Sequence, residues 1–229
     1  MIGLSKLSSA VFSGAIKGHF GQWAEDVLVR KLFPKSKKSG VYLDIGSYHP
    51  FTHSNTAYLW MKGWRGYNVD ANPNTIQLFN KVRSDDVNIW SAIVPSADYE
   101  NGVREVALLL PSKSDATSGV AATGTVSNTV GSERGFSQSK HVPALSVREL
   151  MASNKIANID YLNVDIEGYD EIILNEIDFS SLNPQVVTVE DYSTDLVSLC
   201  SSRITRLMNS NNYALVGRAG PTSIFLKNQ

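Results

Sequence analysis

Short apolar runs alternate with stretches of helical period along most of this chain, and that alternation constrains the fold more than any other feature. The runs GVYLDI, GYNVDA, VNIWSAIV, IDYLNVDI and PQVVTVEDY read as strands. Between them SNTAYLWMKG, NPNTIQLFNKVR and EGYDEIILNEI have helical spacing, the second with Asn72 as N-cap and Pro73 at the first helical position. HFGQWAEDVLVRKLF reads as a helix ahead of the first strand. Strands separated by helices cannot pair as tight hairpins, so they call for a mostly parallel sheet covered on both faces. In STDLVSLCSSRITRLMNSN, residues Leu196, Leu199, Cys200, Ile204, Leu207 and Met208 share one helical face, which predicts a core-facing helix with Cys200 packed inside it. YALVGRAGPTSIFLK reads as an antiparallel hairpin that closes the sheet.

The 229 residues suit one domain, 1–229, with an N-terminal helical segment over 1–33. Residues 111–141, rich in Ser, Thr and Gly, interrupt the alternation and read either as a lid over a site or as a surface insertion. A net charge of −1 lacks the basic excess of a nucleic-acid binder. A single cysteine excludes an internal disulfide and an all-Cys zinc site, and points to a reducing cytoplasm. No apolar stretch approaches the roughly 20 residues that span a bilayer. The N-terminal helix is amphipathic enough to rest on a membrane surface or a partner, and self-association is compatible with the composition.

In an open parallel sheet the ligand lies beyond the carboxyl ends of the strands. Four strand ends place acids there: Asp44, Asp70, Asp165 with Glu167, and Glu190 with Asp191. Each can cap a following helix. Together they point to a ligand, because clustered like charges are costly without a cation, a polyol or a proton. Asp70, ending the second strand, suits the hydroxyls of an adenosine ribose. DIGSYHP has one glycine and a bulky Tyr48, a poor pyrophosphate cradle. A cofactor with adenosine but no phosphate fits better, and S-adenosylmethionine has that description.

The segments YLDIGSYHPFTHSNTAYLWMKGWRGYNVDANP, IDYLNVDIEGYDEIIL and PQVVTVEDY resemble, in this order, the FkbM-type family of S-adenosylmethionine-dependent methyltransferases. The resemblance implies a class I methyltransferase fold, Rossmann-like, with a seven-stranded sheet whose antiparallel strand comes from the terminal hairpin. It also implies a hydroxyl acceptor on a sugar, a glycan or a related natural product. Carried over, Asp44 and Gly46 form the first cofactor turn, Asp70 holds the ribose flanked by Ala71 and Asn72, and Ser91 and Ala92 lie near the adenine. Ser54 and Asn55 meet the methionine carboxylate at a helix start.

Transfer to a hydroxyl needs an in-line approach and removal of a proton. His49 is the leading base, with a structural turn as its other reading, and His53 is a weaker candidate. Asp165, Glu190 and Asp191 read in two ways: as a Mg²⁺ or Ca²⁺ site, or with Asp165 and Glu190 as acceptors for sugar hydroxyls. Two other functions stand beside the transferase: a nucleotide-dependent sugar-modifying oxidoreductase, and an inactive cofactor-binding scaffold.

Overall fold

The structure is a computed structural model that describes residues 18–111, 125–127, 136–166 and 168–228. Most of the 111–141 insertion, Glu167 and residues 1–17 of the N-terminal segment therefore lie outside the described residues.

The main sheet has seven strands. β1 (Val41–Ile45), β2 (Arg65–Asp70) and β3 (Val87–Trp90) run parallel on one side of the sheet, and β8 (Tyr161–Val164) and β9 (Val186–Glu190) continue in parallel on the other side of β1. β11 (Thr222–Lys227) then pairs antiparallel with β9, and β10 (Tyr213–Ala219) antiparallel with β11. The sheet is therefore mixed, and the C-terminal hairpin accounts for its antiparallel part.

Period-two alternation sorts the side chains between two cores. Leu43, Ile45, Leu162, Val164, Val187 and Phe225 face helices α5 (Val147–Ser153), α6 (Asp170–Glu176) and α9 (Arg203–Ser210). Tyr42, Tyr161, Val186 and Ile224 face α1 (Glu25–Leu32) and α2 (Ala57–Met61), with Val29, Leu59 and Trp64 completing that layer. α3 (Pro73–Val82) follows β2, with Asn72 capping it through Asn74 N–H and Pro73 in its first turn, as the NPN motif predicts. Among the described residues no helix is long and apolar enough to cross a membrane.

Two segments differ from the sequence expectation. VNIWSAIV is not one strand: Ser91 divides β3 from β4 (Ala92–Val94), and β4 leaves the main sheet to pair with β7 (Phe136–Ser146). A second, four-stranded sheet results, completed by β5 (Glu105–Pro111) and β6 (Thr125–Ser127). The Ser91 hydroxyl donates to the carbonyls of Ala92 and Pro143, which anchors the break. The C-terminal helix is also broken. Ser202 starts a new N-cap by accepting from Thr205 N–H, so α8 (Leu196–Cys200) and α9 are separate. Leu199, Ile204 and Met208 are buried, but Leu196 and Cys200 are exposed, so Cys200 does not pack in the core.

The second core face is polar at its upper end. Asn88, Asn68, Asp44, Asn163 and Thr188 stand in one register across the five parallel strands. Beside the β1–β2 part of this row, buried Asp86 accepts from the Tyr42 hydroxyl, Gly66 N–H and the Asn68 amide. Replacing Asp86 with Ala leaves these three buried donors without their acceptor. Urea denaturation of Asp86→Ala should show a loss of about 3 kcal/mol, on the basis of roughly 1–3 kcal/mol for each buried group left unsatisfied with partial relaxation.

Candidate active site

β1 and β8 are neighbours from which the chain proceeds in opposite directions along the sheet, and a cavity of about 550 Å³ opens beyond their carboxyl ends. Its size and position are those of a small-molecule site at a topological switch point. It is lined by Asp44, Gly46, Tyr48, His53 and Asn55 from β1 and the following loop. Asp70, Ala71, Asn72, Ser91 and Ala92 line it from the β2 side, and Asn163, Asp165, Tyr169, Glu190 and Tyr192 from the other. No Lys or Arg lines it among the described residues.

Asp44 lies within the sheet. Asn163 Nδ2 donates to its Oδ1 at 2.9 Å and the Thr56 hydroxyl to its Oδ2 at 2.8 Å. Burial pushes its carboxyl up, against the opposing pull of these two donors and of Arg83. Asn163 Oδ1 in turn accepts from Thr188 Oγ1 at 2.6 Å and from Asn55 Nδ2 at 3.1 Å. Asn55 is only 6% exposed, lines the cavity, and its Oδ1 has no hydrogen-bond partner among the described residues.

Gly46 follows with φ of +82°, and a Cβ there would run into the carbonyl oxygen of Asp165. Only glycine lets the two strand ends approach so closely with this backbone conformation. Asp70 Oδ2 accepts from Tyr48 N–H at 2.9 Å and Oδ1 from Asn72 N–H at 2.7 Å. Burial raises its carboxyl to about 6, these two N–H groups opposing the shift and Asp44 adding to it. Asn72 spends its own side chain on capping α3.

The loop between β1 and α2 holds two non-glycine residues in left-handed conformations, Tyr48 at φ 53° and His53 at φ 54°. Such positions concentrate where structure is held for function. Their rings stack, with centroids 5.8 Å apart and planes 12° from parallel. Thr75 donates to the Tyr48 carbonyl and holds that turn onto α3.

His49, the expected base, does not line the cavity. Its Nδ1 accepts from Phe51 and Thr52 N–H at 3.1 and 2.9 Å, which places the ring proton on Nε2 and makes the side chain a turn cap. Burial, with Arg83 and His53 nearby, holds its pKa below the usual histidine range. His53, the weaker candidate, is the histidine that reaches the cavity. Ser54 is likewise turned away from the expected ligand. Its hydroxyl oxygen accepts from Ala57 N–H and from Arg83, and it does not line the cavity.

The expected metal trio is not assembled. Asp165 and Glu190 line the cavity, whereas Asp191 lies in an adjacent recess, where its Oδ1 accepts from the backbone and hydroxyl of Ser193. Among the described residues no group of three or more His, Cys, Asp or Glu side chains is disposed to hold a metal ion.

Arg83 is the principal residue that sequence reasoning missed. It is fully buried, and its guanidinium donates to Thr56 Oγ1 at 2.9 Å, to Ser54 Oγ at 3.0 Å and to the Pro50 carbonyl. The polar residues Asn68, Asn163 and Thr188 were a legible signal, since each interrupts an apolar strand run at the same height. Arg83, at the end of a helix motif, carried no comparable mark.

The candidate site is thus an acidic cavity at the switch point of an α/β sheet with an antiparallel C-terminal hairpin. The chain matches the Methyltransferase FkbM domain over residues 44–214 and belongs to that family of methyltransferases. No curated protein matches it.

Removing the guanidinium leaves the loop carbonyl and two hydroxyls without their common donor. Arg83→Met is expected to cost about 3 kcal/mol in chemical denaturation, the lower end of what breaking a buried charged network costs. Hydrogen exchange should show the added opening concentrated in residues 47–56.

Proposed function

We propose that the protein is an S-adenosylmethionine-dependent O-methyltransferase whose acceptor is a hydroxyl of a sugar, a glycan or a related natural product. The observation that carries the reading is the pairing of Asp70, at the end of β2, with the Gly46 turn in one cavity that has no cation to meet a phosphate among its described residues. The DIGSYHP turn, with one glycine and the bulky Tyr48, disfavours a nucleotide-dependent oxidoreductase, whose pyrophosphate is met by the backbone N–H groups of a Gly-rich turn.

The residues present fit the cofactor. Asp70 would accept the ribose hydroxyls, the Asn55 Oδ1 that lacks a partner would accept from the ammonium group, and Gly46 would let the ligand approach the backbone. Ser91 and Ala92, with Ile93 and Leu108 behind them, would border the adenine. S-adenosylmethionine, when bound, supplies an electrophilic methyl group. The protein's task is to hold an acceptor oxygen in line and to take its proton, and positioning alone can contribute roughly 7–11 kcal/mol. His53, which lines the cavity with its ring stacked on Tyr48, would take the proton on an imidazole nitrogen. Asp165 and Glu190 orient the acceptor through its hydroxyl protons.

The first test is calorimetric titration of S-adenosylmethionine, followed by transfer of a labelled methyl group to a panel of pyranosides and polysaccharides, with the O-methyl carbon read by NMR. Binding without transfer to any hydroxyl would favour the scaffold reading, and no binding would overturn the proposal. Because Asp70 carries a pKa raised to about 6, it is ionised and accepting above that pH and protonated below it. Affinity should be flat above about pH 7 and weaken by up to about tenfold per unit below 6, with Asp44 titrating in the same direction from its own raised value. Asp70→Asn should lose about 10–100-fold in affinity and most of that pH dependence, in line with roughly 1.5–3 kcal/mol for hydrogen bonds to a charged group.

The two histidines separate on kinetics. His53→Gln should lower kcat by about 10²–10⁴-fold, whereas His49→Gln should act mainly on the melting temperature.

A further inference from the structure

The mouth of the cavity carries two large aromatic side chains that belong to neither core. Trp23 is 55% exposed and Tyr192 is 67% exposed, yet both line the cavity. Ligand pockets are lined predominantly by hydrophobic and aromatic side chains, and exposed rings at this cavity are free to meet what enters it.

Neither is loosely placed. Trp23 N–H donates at 2.7 Å to the buried carboxylate of Glu25, and its ring lies on Gly220, where a Cβ would come within 2.5 Å of the indole. Gly220 is the turn between β10 and β11, with φ of +58°. Arg218 fastens that turn to the segment carrying Tyr192: its Nε donates to the Gly220 carbonyl at 2.8 Å, and its NH2 donates to the carbonyls of Asp191 and Ser193 at 2.9 and 2.7 Å. Asp191 N–H donates to the Pro221 carbonyl, and Thr222 stands opposite Glu190 in the β11–β9 register. The rim is therefore continuous from Trp23 through the hairpin turn to Glu190 and Tyr192. The Tyr192 hydroxyl donates to Glu190, which holds the phenol protonated.

We infer that Trp23 and Tyr192 form the acceptor platform, against which the apolar face of a pyranose ring stacks while its hydroxyl edge meets Glu190 and Thr222. A pyranose has one face of C–H bonds and a rim of hydroxyls, and this mouth alternates in the same way between aromatic faces and polar groups. A flat aromatic alcohol would match the rings but leave the polar rim unpaired, and an open-chain polyol would match the rim but not the rings. The inference rests on the sugar-acceptor reading above and names the side chains that would impose it.

Saturation-transfer NMR titrations on the full chain with saturating S-adenosylhomocysteine test it, using methyl α-D-mannopyranoside, methyl α-L-rhamnopyranoside, sorbitol and benzyl alcohol as probes. At least one pyranoside should bind, with sorbitol and benzyl alcohol at least tenfold weaker. Trp23→Ala and Tyr192→Ala should each weaken pyranoside binding at least tenfold. Trp23→Phe and Tyr192→Phe, which keep a ring, should stay within about threefold. All four variants should hold S-adenosylhomocysteine within about twofold of wild type, and this excludes misfolding as the cause. Pyranoside binding indifferent to both alanine variants, equal binding of sorbitol or benzyl alcohol, or no pyranoside binding to a wild type that holds S-adenosylhomocysteine would each overturn the platform. A wild type that binds a pyranoside but not S-adenosylhomocysteine, together with loss of that pyranoside binding in Trp23→Ala, would instead overturn the cofactor reading and support the platform.

Discussion

A single buried carboxylate, that of Asp44, joins the sheet to the cavity. An anion inside a sheet is tolerated only where donors meet it, and here the donors arrive along two chains whose direction is forced. Arg83 has only protons to give, so the Thr56 hydroxyl accepts from it and donates onward to Asp44. From the other side Thr188 donates to Asn163, which donates to Asp44. Asn163 is thereby fixed with its Oδ1 toward Thr188 and Asn55, and Asn55 must spend its Nδ2 on that oxygen. The Asn55 Oδ1 that is left without a partner among the described residues is thus the far end of a polarity set by Asp44.

The same network explains how a loop with two residues in left-handed conformations stays in place. Non-glycine residues in such conformations cost roughly 1–3 kcal/mol each, so the loop must be over-determined by its surroundings. His49 caps the turn from within, Asp70 and Thr75 hold Tyr48 from α3 and its approach, and Arg83 binds the Pro50 carbonyl and both hydroxyls that open α2. The histidine nearest the glycine turn in sequence is consumed as structure. The one four residues further on is delivered to the cavity.

How far the sequence could be read follows from which contacts are local. The strands, the Asn72-Pro73 helix start and the terminal hairpin were legible because period and capping are properties of a few adjacent residues. The position of Asp70 and Gly46 at the cavity was legible for a related reason, since each stands at the end of a strand whose direction follows from the alternation. Ser54 and His49 misled because their motif reveals a loop that is held but not which side chains do the holding. That depended on Arg83, roughly thirty residues away, and on its burial against Phe79 and Trp60. The break at Ser91 was equally hidden, because VNIW and AIV are both good strand sequences and only the partner β7 separates them. The second helical stripe failed for a local reason that was present in the text: Ser201-Ser202 is a strong N-cap signal in the middle of an apolar period.

The break at Ser91 also has a consequence for the site. Had β3 continued, the main sheet's edge would have ended in solvent beyond Asp70. Instead β4 turns away, and Ala92, Ile93 and Leu108 of the second sheet's side close the cavity with apolar surface. Part of the lining is therefore apolar, and another part, from Asp44 through Asp165 to Glu190, is acidic. Water is displaced more readily from the first, and the field of the second favours cations and hydroxyl protons over phosphates. A ligand with a flat heterocycle at one end and a positive centre at the other would be oriented by that asymmetry before any single hydrogen bond formed.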